Sequence, residues 1–281
     1  MTWYHQLGIK YPLFQGGMAW ATNVELVAAV SNNGALGIIG SGGRTASELQ
    51  EMIHQTKRLT SSPFGVNLML LDKNIDQLLQ VIYDEKISVV TTGAGSPKKY
   101  IDTIVANHIK LFPVVPSLKI AKKMLELPVT GIIAEGTEAG GHVGTQNLSS
   151  LLEEITSLCP LPLIAAGGIH DYHSFSSAKN LGASGAQVGT AFLLAKECQI
   201  SSTYQKLICQ SEKNETILIS NKKGHLARLL KKPSETSSNQ SLKSAVEQGD
   251  LLNGAFMAGT SSAYINKIEP AETIIKRIIE K

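Results

Sequence analysis

The run IIAEGTEAGGHVGTQ, residues 132–146, places Glu135 and His142 on either side of a glycine-rich turn. A histidine titrates near neutrality, with an unperturbed pKa of about 6.5, so a ring held against a substrate serves as general acid or base. Gly140 and Gly141 precede that ring. They strip away competing side chains and leave room for a flat ligand along the backbone. The same stretch also reads as a surface turn that happens to contain a histidine. A second group of small residues, AAGGI (165–169) and QVGT (187–190), contributes Gly167, Gly168, Gln187, Gly189 and Thr190. Taken one by one these glycines make tight turns. Taken as a pair at the ends of the last two strands, they gather backbone N–H groups, an amide and a hydroxyl around a phosphate.

Asn67 stands inside the apolar run FGVNLML. A buried amide left unpaired costs about 1–3 kcal/mol. It therefore either bonds a neighbouring strand or faces a polar ligand. Glu135 poses the same choice, between a salt bridge on a rim and a ligand contact. His225, in GHLAR, is a second, weaker histidine candidate, and His170 reads as the cap of a helix. His5, His54, His108 and His173 read as ordinary surface positions. Three cysteines form no C-x-x-C pair and sit near no cluster of metal-ligand spacing. No metal site is expected, and free thiols in a reducing compartment are. No Walker loop, nucleophile elbow or Ser-His-Asp order is present, and SNNGALGIIGSGG does not follow G-x-G-x-x-G.

The elements that must position these residues recur along the chain. Strands are expected at 12–16, 35–40, 64–70, 87–93, 110–115, 131–136, 162–168 and 185–191. These runs are apolar without alternation, as strands buried on both faces are. Between them lie helical stretches such as NVELVAAVSNN, TASELQEMIHQTKRL and LSSLLEEITSL, with apolar residues every three or four positions. Eight strand–helix units within about 200 residues predict a (β/α)8 TIM barrel, whose usual size is about 250 residues. A doubly wound open sheet is the alternative. The count of eight, and small or polar residues after nearly every strand, favour the barrel. Its ligands would bind where strand C-termini meet the βα loops. Residues 1–200 are read as the barrel and 201–250 as a short cap or mobile segment, rich in serine and lysine. Residues 251–281 are read as a C-terminal segment returning to the barrel.

Composition excludes several classes. With 43% hydrophobic and 17% charged residues, a chain of 281 residues is too apolar for disorder. A net charge of +3 and the absence of a base-reading motif argue against nucleic acid. No apolar run approaches the about 20 residues that cross a bilayer. The N-terminus carries no secretory signal, so a cytoplasmic protein is expected.

Nine short motifs run in register from residue 14 to 259: FQGGMAWAT, GALGIIG, PFGVNLMLL, VVTTGAGSPKKY, FPVVPS, IAEGTEAGGHVG, PLIAAGGI, GAQVGTAFLLAKE and NGAFMAG. Together they resemble the FMN-dependent enoyl-[acyl-carrier-protein] reductase II family, within the nitronate monooxygenase superfamily. The resemblance implies an FMN-binding barrel. Gly17, Met18 and Ala19 would pack on the isoalloxazine and Asn67 would bond the ring. Glu135, Gly140 and Gly141 would line the ribityl and ring region. Gly167, Gly168, Gln187, Gly189 and Thr190 would hold the phosphate, and Met257 and Gly259 would close the pocket. His142 would be the catalytic residue, NADPH or NADH the electron donor, and an enoyl thioester on acyl carrier protein the substrate. A homodimer is expected. Three rivals remain: a nitronate monooxygenase using oxygen, a flavin-binding redox sensor without turnover, and a phosphate-sugar barrel enzyme without flavin. The short stretch between GHLAR and NGAFMAG, residues 229–252, departs from the longer covering segment of the reductases.

Overall fold

The computed structural model describes residues 2–220, 226–232 and 240–281. Along them the strands are β1 (Leu13–Gln15), β2 (Gly37–Gly40), β3 (Phe64–Met69), β4 (Val89–Gly93), β5 (Lys110–Val115) and β6 (Ile132–Glu135). They continue with β7 (Gly141–Val143), β8 (Leu163–Ala166), β9 (Gly185–Val188), β10 (Thr216–Ser220) and β11 (Leu226–Leu230). Eight of them are parallel, in the order β1-β9-β8-β6-β5-β4-β3-β2. A bridge between Phe14 and Leu36 joins the two ends of that order. The amide of Gln15 donates to Leu36 O at 2.9 Å, and that of Leu36 to Leu13 O at 2.9 Å. The result is the expected (β/α)8 barrel.

Successive side chains on a strand point to opposite faces, and here both faces are apolar. Phe14, Ile38, Val89, Phe112, Ile133 and Ile164 pack together inside the barrel. Leu13, Ile39, Val66, Val90, Leu111 and Leu163 belong to a separate outer cluster shared with the helices. Burial on both faces is why the strands read as unbroken apolar runs. The N-terminal end is plugged. The Trp3 ring lies 5.9 Å from that of Phe14, which lies 5.3 Å from Phe112. Leu7 and Ile9 complete this floor. Only the opposite end, where the strand C-termini open, is left for a ligand.

The helices are α1 (Val24–Asn32), α2 (Ala46–Leu59), α3 (Ile75–Asp84), α4 (Ile101–Ala106), α5 (Leu118–Leu125), α6 (Leu148–Thr156), α7 (Tyr172–Asn180), α8 (Ser202–Cys209), α9 (Leu242–Glu247) and α10 (Ala271–Ile279). Their starts are written locally. Thr45 caps α2 in a reciprocal box with Glu48, and Ser117 and Asn147 each accept a first-turn amide. The eighth barrel helix is α10, which packs between α7 and α1. The eighth strand–helix unit is therefore not completed within the first 200 residues, as the sequence suggests. Everything from α8 to α9 is inserted between the eighth barrel strand and its helix.

A second difference concerns β7, β10 and β11, which form an antiparallel three-stranded ribbon in the order β10-β11-β7. None of these three strands is expected from the sequence. Among the described residues no helix is long and apolar enough to cross a membrane. No group of three or more His, Cys, Asp or Glu among them could hold a metal ion. Cys159, Cys198 and Cys209 are free thiols. Burial pushes the Cys198 thiol up to about 12.

Candidate active site at the C-terminal mouth of the barrel

The inward-facing residues at the top of the strands differ from those below them. Above the apolar floor stand Asn67 on β3, Thr91 on β4, Glu135 on β6 and Gln187 on β9. Register pairs Asn67 with Thr91, Glu135 with Ala166, and Ala166 with Gln187. A polar ring thus crowns an apolar cylinder, with the small Ala166 between Glu135 and Gln187. Its members are incompletely satisfied. Asn67 Nδ2 donates to Thr91 Oγ1 at 2.8 Å, which settles one half of its amide on a neighbouring strand. Gln187 Oε1 is buried without a partner. Buried polar groups normally have partners; an orphan in this ring marks a place for a ligand donor. Desolvation raises the Glu135 carboxyl from 4.5 to about 8. That shift favours the protonated form, which can donate a hydrogen bond.

The loop after β1 lies over one side of this ring. A β-carbon at Gly17 would stand 2.4 Å from Asn67 Cβ, and one at Gly40 would stand 2.8 Å from Met18 C. Backbone therefore rests on backbone and on the root of Asn67. The turn is closed from beneath by two residues that the sequence reading passed over. Thr22, buried, accepts from Met18 N at 2.8 Å, and its amide donates to Met18 O at 2.8 Å. Gln15, also buried, donates to the Gly16 carbonyl and lies 3.3 Å from Thr22 Oγ1. A glutamine inside the apolar run PLFQG carries the same signal that singled out Asn67.

Gly167 and Gly168 leave β8 with φ of 115° and 74°, conformations in which an L side chain is strained. Among the described residues their amides donate to no backbone carbonyl. The loop is held by His170, whose Nδ1 lies 2.9 Å from Gly168 O. A carbonyl only accepts, so Nδ1 bears the proton. His170 is not the helix cap expected from sequence: Asp171 caps α7, in a box with Ser174. The His170 ring stacks on Tyr264 at 4.7 Å. An open cavity of about 400 Å³ lies beside that pair, lined also by Asn266, Lys267 and Arg277.

The C-terminal segment meets the neighbouring loops after β6 and β9 directly. Gly259 N donates to Thr190 Oγ1 at 2.9 Å, and Thr260 N to Glu138 O at 2.9 Å. A β-carbon at Gly140 would lie 2.7 Å from Ala258 C, and one at Gly141 would lie 3.4 Å from Met257 Sδ. Met18 Sδ would be 3.4 Å from a β-carbon at Gly189. The residues singled out from the sequence are thus brought together in three linked groups. Gly17, Met18, Ala19 and Asn67 form one. Gly167, Gly168, Gln187, Gly189 and Thr190 form the second, and Gly140, Gly141, Met257 and Gly259 the third.

His142 stands in strand β7, paired with Ala227 of β11, and is exposed. It is not in the bare loop that its flanking glycines suggest. His225 lies outside the described residues. His5, His54, His108 and His173 are exposed, as expected.

An α/β barrel plugged at one end, with an orphaned amide oxygen and bare backbone at the other, defines the class: a (β/α)8 barrel whose candidate site lies on the βα loops. The nitronate monooxygenase family model matches residues 2–78 and 72–281, and the chain belongs to that family of oxidoreductases. It is 31% identical to a probable nitronate monooxygenase of Staphylococcus aureus, across 79% of this chain and 76% of that protein. It is 32% identical to an octahydro-indene-carboxyl-CoA dehydrogenase of Rhodococcus jostii, across 69% of this chain, and spans 55% of that relative's length. Among solved structures, FabK from Thermotoga maritima superposes with a TM-score of 0.93 at 37% identity, covering 98% of this chain and 93% of that one. A nitroalkane oxidase from Streptomyces ansochromogenes shares the fold with a TM-score of 0.86 at 24% identity, covering 98% and 96%.

Proposed function

We propose that this protein is an FMN-dependent reductase of trans-2-enoyl thioesters carried on acyl carrier protein, with NADPH or NADH as electron donor. The observation that carries the reading is the likeness to FabK, an enoyl-[acyl-carrier-protein] reductase II, at 37% identity over 98% of the chain. A second relative is named for a coenzyme A thioester, which keeps the substrate in one chemical class. The mouth fits a flavin on its own terms. A flat ring would lie against the Gly17–Ala19 turn, which has no side chain at Gly17. Asn67 and Glu135 offer a polar edge, and Gln187 Oε1 is a buried acceptor in want of a donor. The amides of Gly167 and Gly168 donate to no backbone carbonyl, which leaves them available to an anion such as a phosphate. Bound there, FMN would supply the two-electron redox chemistry that no protein side chain provides.

The chain's own residues then have three tasks. The three glycine-lined groups hold the cofactor, and the Met257–Gly259 segment shuts it from water. Glu135, neutral at pH 7, donates to an acceptor without bringing a charge into the barrel. His142 delivers the α-proton to the thioester or polarises its carbonyl, an effect worth about 10²- to 10⁴-fold in rate.

The family match and the Staphylococcus aureus relative favour a second reading, oxidation of nitroalkanes with oxygen, in which His142 acts as the base that takes the α-proton to give the nitronate. Anaerobic stopped-flow on the FMN-loaded protein separates the two. Bleaching of the flavin absorbance by NADPH or NADH, followed by its return on adding crotonyl thioester, is the expected result. Bleaching by a nitronate with no response to either nicotinamide would sink the reductase assignment.

A further inference from the structure

Arg228 lies on β11 opposite Gly141 of β7. Its guanidinium joins elements that are far apart in the chain. Nε donates to Thr137 O at 2.6 Å, in the loop between β6 and β7, and Nη1 donates to Thr216 Oγ1 at 2.9 Å, at the start of β10. Thr137 in turn closes the excursion that carries His142, its amide donating to Gln146 O at 2.9 Å. Next to it, Glu138 accepts from Leu148 N at 2.9 Å with one carboxylate oxygen. Desolvation draws the Arg228 pKa down, and the Glu138 charge opposes that fall. The group stays cationic, because guanidinium does not lose its proton in proteins.

A three-residue strand such as β7 is not stable alone, and a small ribbon needs packing or bridging to hold a fixed place. β7 pairs with β11 along one edge. Of the two bonds from Arg228, the one to Thr216 stays within the ribbon, and the one to Thr137 ties the ribbon to the loop that leaves β6, where Glu135 stands. We propose that Arg228 is a positioning residue, whose two-pronged grip on Thr137 and Thr216 fixes β7 relative to the barrel and so sets the place of the His142 ring. The inference rests on the reading of His142 as the acid of enoyl reduction. Lysine cannot replace the grip, since one ammonium on a flexible stem does not span two acceptors as a planar fork does.

Hydrogen–deuterium exchange on Arg228→Gln and Arg228→Lys tests the grip without any turnover. In protein without added flavin, peptides covering 136–143 and 216–220 should exchange about tenfold faster, the worth of a charge-assisted hydrogen bond, while β2 to β5 keep their protection. In the FMN-loaded variants, kcat with crotonyl thioester should drop about tenfold with KM moved by less than about threefold, and the flavin Kd should hold. Unchanged exchange in those peptides overturns the proposal. So does faster exchange throughout the barrel, the mark of a general brace, or a local loosening that leaves kcat at the wild-type value. If wild type and variants alike reduce no enoyl thioester, the functional reading fails, and the exchange result still decides whether Arg228 holds the ribbon.

Discussion

The hydroxyl of Thr190 accepts the amide of Gly259 at 2.9 Å, both groups being buried. Thr190 follows the last barrel strand, and Gly259 lies in the segment that returns after the insertion. One hydrogen bond thus fastens the closing segment to the loop expected to hold a phosphate. Thr190→Val leaves the Gly259 N–H buried and unpaired, a cost of about 1–3 kcal/mol. Urea unfolding should show that loss in unfolding free energy as a lower midpoint, with flavin retention weakened in parallel. An unshifted midpoint would mean that water replaces the hydroxyl.

Gly17→Ala is predicted to disrupt the mouth without removing any polar group. The added carbon would lie 2.4 Å from Asn67 Cβ, which is anchored in β3 and cannot swing away. The loop carrying Met18 and Ala19 must lift instead, with an overpacking cost of about 1–3 kcal/mol. Flavin fluorescence on dilution should report faster release than from wild type. Equal release rates would remove this loop from the cofactor site.

Gly168→Val combines strain with steric bulk. The position has a φ of 74°, which a β-branched residue resists, and its β-carbon would lie 3.4 Å from Glu138 Cβ. The purified variant should be colourless after reconstitution with FMN. A yellow variant would show that no phosphate sits against this backbone.

Glu135 gives a pH signature. Its carboxyl is pushed up to about 8 from an ordinary 4.5 by desolvation. The folded protein therefore keeps a proton that the unfolded chain has released, and stability declines as pH rises from about 4.5 to about 8. Glu135→Gln removes this dependence. Denaturant midpoints of the flavin-free proteins should diverge with rising pH, the variant gaining on wild type. Parallel pH profiles would place a normally ionising carboxylate at this site.

His142→Ala should bind FMN as wild type does and accept electrons from NADPH or NADH at an undiminished rate. Reoxidation by crotonyl thioester should slow by about 10²-fold or more, the contribution of a placed acid. An unaffected second half-reaction would exclude His142 from the chemistry.

The likeness between expectation and structure is uneven, and the reason is local against distant pairing. All eight barrel strands were legible because each is buried on both faces and reads as an apolar run. Asn67 drew notice as a polar residue in such a run, and Gln187 as an amide beside the glycines after the last two strands. His142 was assigned to a loop because three residues bounded by glycine show no strand pattern. Its partner Ala227 comes much later in the chain. The hold of Arg228 on Thr137 was equally hidden, although GHLAR had stood out as a motif.

By itself the sequence determined the alternation of elements and where bare backbone would be available, since these follow from propensity and periodicity within a few turns of chain. Tertiary structure alone decided which helix completes the barrel, that β7, β10 and β11 pair, and that Glu135 holds its proton. Each of these depends on groups brought together from remote parts of the chain, and on the water that their meeting excludes.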